Sequence, residues 1–478
     1  MNQNINFQSL LTLDVVDGLR ETTRELSVQA YLVGGCLRDH LLGRFPIREL
    51  DIVVVGNGIE FARKLHSKLN SPSEFTIYKN FGTAMFRFQD LTLEFVGARK
   101  ESYSRNSRNP KVESGTLRDD LYRRDFTINT LALDVTSENF GLLVDPFAGV
   151  RDIGLRLIRT PLDASKTFCD DPLRILRALR FATTLGSFEI EKKTFEGIKR
   201  NKHRLEIVSR ERVVQELNKI LLTDKPSVGL YLLDRAGVLE LLLPEITNLK
   251  GVEEIDGYRH KDNFDHTLQV VDNISRVTKN IWLRWAALLH DIGKPVTKKF
   301  IPPSKWTFWN HELVGSKMAK KIFTRLKMPL NEHLRYVQKL IAMSSRPISI
   351  VEDSVTDSAV RRLIFEAGEQ IEDLIMLCQA DITTKNKKRF EDFYNNFEIV
   401  KQKIVEVEER DRLRNFRPPI SGDFIMEHFN IKPSREVGII KESITEAILR
   451  GDIDNDFDQA FDLMKKEGKR LGLLSDED

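Results

Sequence analysis

The stretch Tyr31–Gly56, YLVGGCLRDHLLGRFPIRELDIVVVG, decides how the rest of the chain is read. Its apolar opening fits a short buried strand that breaks at Gly34-Gly35. Arg38 and Asp39 follow, then Leu41-Leu42, with Gly43 placed to end a helix. After Pro46 come Glu49, Leu50, Asp51 and the β-branched run Ile52–Val55. A strand has a side-chain period of two, so residues 49 and 51 share a face, about 6–7 Å apart. Two carboxylates at that spacing, beside a tight glycine turn, can hold divalent metal over a polyphosphate. The alternative is the start of a plain βαβ unit with a solvated edge.

With 478 residues, 41% hydrophobic and 30% charged, the chain has room for two or more domains with real cores. No apolar run approaches the roughly 18 residues that would suggest a membrane span, and MNQNINFQSLLTL has neither the basic start nor the apolar core of a secretory signal. Cys36, Cys169 and Cys378 are too few and too scattered for a disulfide framework or a cysteine zinc site, which fits a reducing cytoplasm. Lys plus Arg number 74 against 71 Asp plus Glu, a formal charge of +3. A nucleic-acid partner therefore requires basic residues gathered locally. The closing SDED offers no basic tail to grip RNA.

Residues 12–29 read as an amphipathic helix, 58–69 as another, and 75–78, 83–88 and 91–96 as strands. Glu94 on the last strand joins Glu49 and Asp51 if the strands are neighbours; otherwise it is a solvated edge residue. Arg99–Asp125, with Arg105, Arg108, Arg118, Arg123 and Arg124, reads as a basic loop, either ordered over a triphosphate or simply solvated. In RRDFTINTLALD (Arg123–Asp134) the arginines suit phosphate and Asp125 can accept from a ribose hydroxyl. VDPFAGVRDI (Val144–Ile153) reads as a turn flanked by Asp145 and Asp152.

From Thr167 the pattern becomes helical. Asp170, Asp171 and Pro172 suit a helix start. A spacing of three puts Asp171, Arg174 and Arg177 on one face and Leu173, Leu176 and Leu179 on an apolar one. The acid and arginine are either a helix salt bridge or a base reader. Cytosine and adenine each offer an accepting ring nitrogen beside a donating amino group, which an arginine and an aspartate would satisfy. Uracil and guanine would leave such groups unpaired. Arg210, Glu211 and Arg212 head another helix, and Gly229–Pro244 reads as buried helical packing. His266, then His290-Asp291 in HDIGK, then His311 and Asp381 supply nitrogen and oxygen ligands for a divalent metal. The charged remainder, including Lys385–Arg389 and Lys401–Lys403, is read as a solvated face with RNA-backbone contact as the alternative, and 438–451 as one more helix.

Taken together, these segments closely resemble the bacterial class II tRNA nucleotidyltransferase and poly(A) polymerase family with a fused HD domain, over almost the whole length. GGCLRDHLLG with ELDIVVV looks like the family's catalytic element, RRDFTINTLALD like its ribose-associated motif, VDPFAGVRD like its hinge and DDPLRILRALRFA like its nucleobase-selecting helix. The resemblance implies an α+β fold: a small mixed-sheet nucleotidyltransferase head (1–154), then an elongated all-helical neck (155–225), HD body (226–385) and tail (386–478).

It also implies a cytoplasmic enzyme that adds CMP, CMP and AMP from CTP and ATP to a tRNA 3′ end, without a template and without a membrane. Poly(A), CC-only or A-only addition are the alternatives, and the acidic ending favours a compact tRNA end over long tails. Glu49 and Asp51 would hold Mg2+ and Glu94 would complete catalysis. Gly34, Gly35, Arg38, Arg123, Arg124, Asp125, Asp171, Arg174 and Arg177 would bind nucleotide. His266, His290, Asp291 and Asp381 would form a second divalent-metal site, serving phosphoester hydrolysis, metal binding alone or a structural remnant. Three positions depart from the family pattern: Glu49 and Asp170 exchange the usual aspartate and glutamate, and Ser344 stands in MSSRP where relatives often carry histidine. No oligomeric state is implied.

Overall fold

The computed structural model describes all residues except 1–9, 80–81, 103–110, 137–138, 253, 256–257, 260–261, 303–304, 353–355, 385, 412–417 and 474–478. Arg105, Arg108, Lys385 and the SDED ending thus lie outside the described residues. The chain divides into two compact units, Met1–Thr223 with Val228–Leu242, and Asp224–Ser227 with Leu243–Asp478.

In the first unit, helix α1 (Leu13–Leu26) precedes β1 (Gln29–Val33), four of whose five residues are buried. The chain then turns at Gly34, whose φ of 79° lies where a side chain is costly, into the short helix α2 (Gly35–Leu41). It returns antiparallel as β2 (Glu49–Val55). Alternation works as expected here: Leu50 and Ile52 are fully buried, while Glu49 and Asp51 face outward.

Helix α3 (Gly58–Lys68) leads to β3 (Thr76–Tyr78), β4 (Thr83–Phe88) and β5 (Leu91–Gly97). Further along come β6 (Arg99–Ser102), β7 (Lys111–Ser114), α4 (Leu117–Tyr122), β8 (Ala132–Asp134) and β9 (Leu143–Val144). The main sheet has seven strands in the order β3-β4-β5-β2-β1-β8-β9. Only the β2–β5 pair is parallel; the other neighbours are antiparallel. Phe86, Phe95 and Phe61 pack together on one face under α3, with Phe86 and Phe95 stacked at 5.6 Å. Tyr31, Val33, Val53, Leu121 and Ala132 form the core of the other face.

Two sequence expectations need correction. Arg99–Asp125 is not a plain loop: β6 pairs with β7, and α4 follows behind a capping box in which Thr116 and Asp119 satisfy each other's backbone amides. Val144–Ile153 is more than a turn, because Asp145 accepts from Gly149 N (2.7 Å) and Val150 N (3.0 Å) and so starts helix α5 (Gly149–Gly154). The rest of this unit is mainly helical, including α6 (Ala164–Asp170) and α7 (Leu173–Thr184).

The second unit is built mainly of helices, among them Asn263–Val277, Ile281–Leu289, His311–Arg325, Glu332–Met343 and Ile371–Asp381. The expected class is therefore found, with one qualification to "all-helical". Two-stranded ribbons interrupt the helices at 157–158 with 189–190, 254–255 with 258–259, and 299–301 with 305–307. Among the described residues no helix is long and apolar enough to cross a membrane.

The seating of α3 rests on Gly58, where an added Cβ would lie 2.7 Å from the backbone of Val96 and Gly97. Gly58→Ala is expected to force helix and sheet apart and to destabilise this unit by about 1–3 kcal/mol, read as a lower unfolding midpoint of the first unit with the second unit's transition unmoved.

Candidate functional site

The parallel register sets Asp51 directly opposite Glu94, with Glu49 opposite Thr92 two residues back. All three carboxylates reach solvent on one edge of the sheet face. The packed backbone around them still withdraws water: burial, and then the neighbouring carboxylates, push Glu94 above the ordinary range. Asp51 is likewise raised by burial, with Arg124 opposing and Glu49 adding to the rise. A cluster that crowds negative charge in this way is suited to a cation. Above Asp51, a Cβ on Gly34 would meet Arg124 Nη1 at 3.0 Å and Asp51 Oδ2 at 3.7 Å. Glycine is thus required there for space as well as for backbone angle.

Beside the carboxylates lies a cleft of about 480 Å³. Seven arginines line it (Arg38, Arg123, Arg124, Arg174, Arg177, Arg180 and Arg212) against three aspartates (Asp51, Asp125 and Asp171), a formal excess of four positive charges. Such a surplus suits a triphosphate. The arginines are held in place by partners beneath them. Arg38 is buried, donating to Asp39 (2.8 and 3.0 Å) and to Asn129 (2.7 Å). Arg123 and Arg124 grip opposite oxygens of the fully buried Asp120, whose carboxyl would be pushed up by burial but is held below its usual range by the two guanidiniums. Arg177 donates to Asp125 at 2.7 Å, and Arg180 to Glu216 at 2.6 Å. Phe181 sits among the side chains of Arg38, Arg177 and Arg180, at 5.0, 5.3 and 4.0 Å from its ring centre.

Two expected pairings are arranged differently. Asp125 has its oxygens taken up by Phe126 N, Asn129 and Arg177, so in this structure it braces the arginine wall and presents no free face for a ribose hydroxyl. Asp171 lies between α6 and α7 and caps Leu173 N at 3.1 Å. Arg174, buried on α7, sends its guanidinium to the backbone carbonyls of Arg123 (2.5 Å) and Thr167 (3.5 Å) rather than to Asp171. Leu173, Leu176 and Leu179 are buried as expected. Asp120, Asn129, Arg180 and Phe181 were not singled out from the sequence. Only Asp120 left a signal, standing three and four residues before the arginines it holds.

In the second unit, His266, His290 and Asp381 bring ligand atoms within 4.8 Å of one another. Asp381 Oδ1 lies 2.7 Å from His266 Nε2 and 3.5 Å from His290 Nε2, and the buried His290 Nε2 makes no well-formed hydrogen bond, the mark of an atom turned toward a shared occupant. The other ring nitrogens are anchored, His266 Nδ1 on Thr383 Oγ1 (2.9 Å) and His290 Nδ1 on the Ala287 carbonyl (2.8 Å). Asp291 lies 3.3 Å from His290 Nε2 and 3.6 Å from His266 Nε2, and is ion-paired with Lys294 at 2.6 Å. His311 adds itself to the cluster, its Nε2 3.6 Å from Asp291 Oδ1. Burial opposes the charge on His290, but Asp291 and Asp381 outweigh it and raise the imidazole to about 10. The donor set of two imidazoles and carboxylates fits a divalent transition metal.

Three stretches of the chain match known families. Residues 30–159 match the poly A polymerase head domain, 187–250 the probable RNA and SrmB-binding site of polymerase A, and 263–386 the HD domain. The multifunctional CCA protein of Vibrio campbellii is 32% identical over 370 residues, covering 74% of this chain and 85% of the relative. The A-adding tRNA nucleotidyltransferase of Deinococcus radiodurans is 30% identical over 345 residues, covering 70% and 76%. A solved CCA-adding enzyme in its apo form superposes with a TM-score of 0.63 at 23% identity, over 98% of each chain. Fold and site together define a nucleotidyltransferase. The chain belongs to the family of tRNA nucleotidyltransferases and poly(A) polymerases that carry an HD domain.

The Asp125–Arg177 pair gives the arginine wall a pH signature. Burial would raise Asp125, but Arg177 and Asn129 hold it down to about 2. Its unfolded value is about 3.9, so its contribution, about 2–3 kcal/mol, is complete well above that value and is lost as pH falls toward the folded one. Asp125→Asn should therefore be less stable at pH 6, with the gap to wild type closing as pH falls from about 4 to about 2 in denaturant titrations. A gap that stays constant over that range would contradict the assignment.

Proposed function

We propose that the chain builds the CCA end of tRNA, transferring CMP, CMP and AMP from CTP and ATP to the 3′ terminus without a template. The observation that carries this reading is the parallel β2–β5 register, which sets Asp51 against Glu94 beside an arginine-lined cleft. The multifunctional CCA relatives add to it. Two Mg2+ ions held by Glu49 and Asp51 would supply Lewis-acid activation of the 3′-hydroxyl and neutralise charge on the leaving pyrophosphate.

The remaining work falls to the chain's own groups. Gly34 and Gly35 let backbone approach the triphosphate, and Arg38, Arg123 and Arg124 balance its charge from fixed positions. Glu94 accepts from the 3′-hydroxyl and polarises it. That oxygen attacks the α-phosphorus in line, and the bond to the β-phosphate bridging oxygen breaks. Asp171 and Arg174 read the incoming base. For this, Arg174 must exchange a backbone carbonyl for the base's ring nitrogen, a change the bound nucleotide itself would reward. Arg177 and Asp125 brace the wall behind them. The glutamate at position 49 reaches one methylene farther than the family's aspartate and would hold the metal through the longer side chain.

In this reading 1–154 is the catalytic head, 155–225 the neck carrying the base reader, 226–385 the HD body and 386–478 a tail touching tRNA in the cytoplasm. Phosphate contacts would make tRNA affinity salt-dependent. A second reading, addition of the final A alone, is favoured by the Deinococcus radiodurans relative. The HD cluster would serve as a phosphohydrolase centre, since ligand atoms of His266, His290 and Asp381 converge within 4.8 Å. A divalent metal held there by His266, His290, Asp291 and Asp381 would polarise a phosphoester and activate water.

The test offers tRNA transcripts ending before CCA, after C and after CC, each with CTP, ATP or both, and resolves products by single nucleotides. CC addition followed by one A and a stop is expected, with Glu49→Gln slowing extension at least about a hundredfold. A-only extension would move the assignment to a divided system, and long adenylate tails to a poly(A) polymerase.

A further inference from the structure

Between the HD motif and His311, the second unit carries a segment that neither packs a core nor supplies a ligand. It holds four aromatic residues, Phe300, Trp306, Phe308 and Trp309, yet none of its described residues from Lys294 to Asn310 is buried. Aromatic side chains ordinarily serve a core. Here all four keep access to solvent, and Trp309 is left 74% exposed. The segment is also basic: four lysines and no acid stand between Asp291 and Glu312. Lys294 is engaged by Asp291 at 2.6 Å. Lys298, Lys299 and Lys305 carry three further positive charges, as many as the formal excess of the whole chain, +3.

The fold brings rings and charges together. Strand 299–301 pairs antiparallel with 305–307, setting Phe300 opposite Trp306 on one face and Lys299 opposite Thr307 on the other. The Phe300 and Trp306 rings lie 5.3 Å apart. Lys298 Nζ stands 5.1 Å from the Trp306 ring centre, and Lys294 Nζ 5.8 Å from that of Phe308. Asn310 takes the left-handed conformation at φ 60°, and the turn leaves Trp309 outside while His311 joins Asp291. An added Cβ on Gly293 would lie 2.0 Å from the His311 carbonyl. The two ends of the segment thus meet backbone to backbone, and the aromatic surface sits on a closed, preformed loop.

Rings alone would suit an apolar protein partner, and lysines alone any acidic surface. A strand of RNA answers both at once, with a phosphate and a planar base in every nucleotide. The base must be unpaired, because stacking in a duplex covers its faces. We propose that this ribbon and Trp309 form a tRNA-holding surface on the second unit, the lysines on phosphates and the indole on an unpaired base. The choice of tRNA rests on the reading of the chain as a CCA-adding enzyme.

The test uses the full-length protein and a tRNA transcript ending before CCA. Affinity is followed by fluorescence anisotropy across a salt series, and extension is measured separately. In Lys298→Gln/Lys299→Gln the slope of log affinity against log salt should shrink by about 1–2. Trp309→Ala should bind tRNA about 5–100-fold more weakly with the slope kept, and Trp309→Phe should retain most of the affinity. In extension, KM for tRNA should rise in step with the lost affinity while kcat holds. Contacts made by the head would be common to all variants, and an unmoved unfolding transition of the second unit would show that the ribbon still folds.

If wild type builds CCA and the variants keep its tRNA affinity, salt slope and KM, the surface is wrong while the CCA reading stands. If tRNA binding depends on Trp309 and the lysines but wild type adds no nucleotide, the surface stands and the CCA reading fails. Altered self-association of Trp309→Ala with tRNA affinity unchanged would make the indole a contact between copies of the chain and overturn the proposal.

Discussion

The head depends on one pairing, that of β2 with β5. Run in parallel, the two strands set Asp51 opposite Glu94 with Glu49 close by. Burial raises the proton affinity of Asp51 and Glu94, and the mutual repulsion of carboxylates grouped this closely adds to it. Folding tolerates the arrangement because the cost is met by the apolar residues that alternate with the acids: Leu50, Ile52, Leu93 and Phe95 are all fully buried. The same pleat thus anchors the sheet and concentrates negative charge where a cation can use it.

The arginine cleft applies the opposite charge by the same logic. Arg123 and Arg124 are fixed by the buried Asp120, Arg177 by Asp125, and Arg38 by Asp39 and Asn129. Flexible guanidiniums would have to be ordered by each incoming nucleotide; here folding has ordered them already. Phe181 supports three of them through its ring. Arg174 is held likewise, by the backbone carbonyls of Arg123 and Thr167 rather than by Asp171.

How much of this was legible beforehand follows from the range of the interactions. Glu49 and Asp51 could be read from a period of two within seven residues. Glu94 could be named but not placed, because its neighbour is decided by the β3–β4 excursion that brings β5 back alongside β2. Asp120 sits in a polar run that reads as a loop, although Thr116 and Asp119 carry the spacing of a capping box. Asp125 reads as a ribose acceptor in the sequence, and its ion pair with Arg177, 52 residues away, is beyond any local pattern. His266, His290, Asp291 and Asp381 were legible as a motif. The place of His311 beside them, and of Trp309 outside, depends on a backbone contact with Gly293 that no local pattern announces.

The most direct test of the carboxylate cluster is a count of bound metal. Mn2+ titrated into the full-length protein and followed by electron paramagnetic resonance should fill sites in the head that Asp51→Asn removes, with the HD sites unchanged. Loss of the head sites in that variant is the predicted result. The same number of Mn2+ ions bound with the same affinity in Asp51→Asn would contradict the account, because the β2–β5 register would then bring together acids that hold no metal.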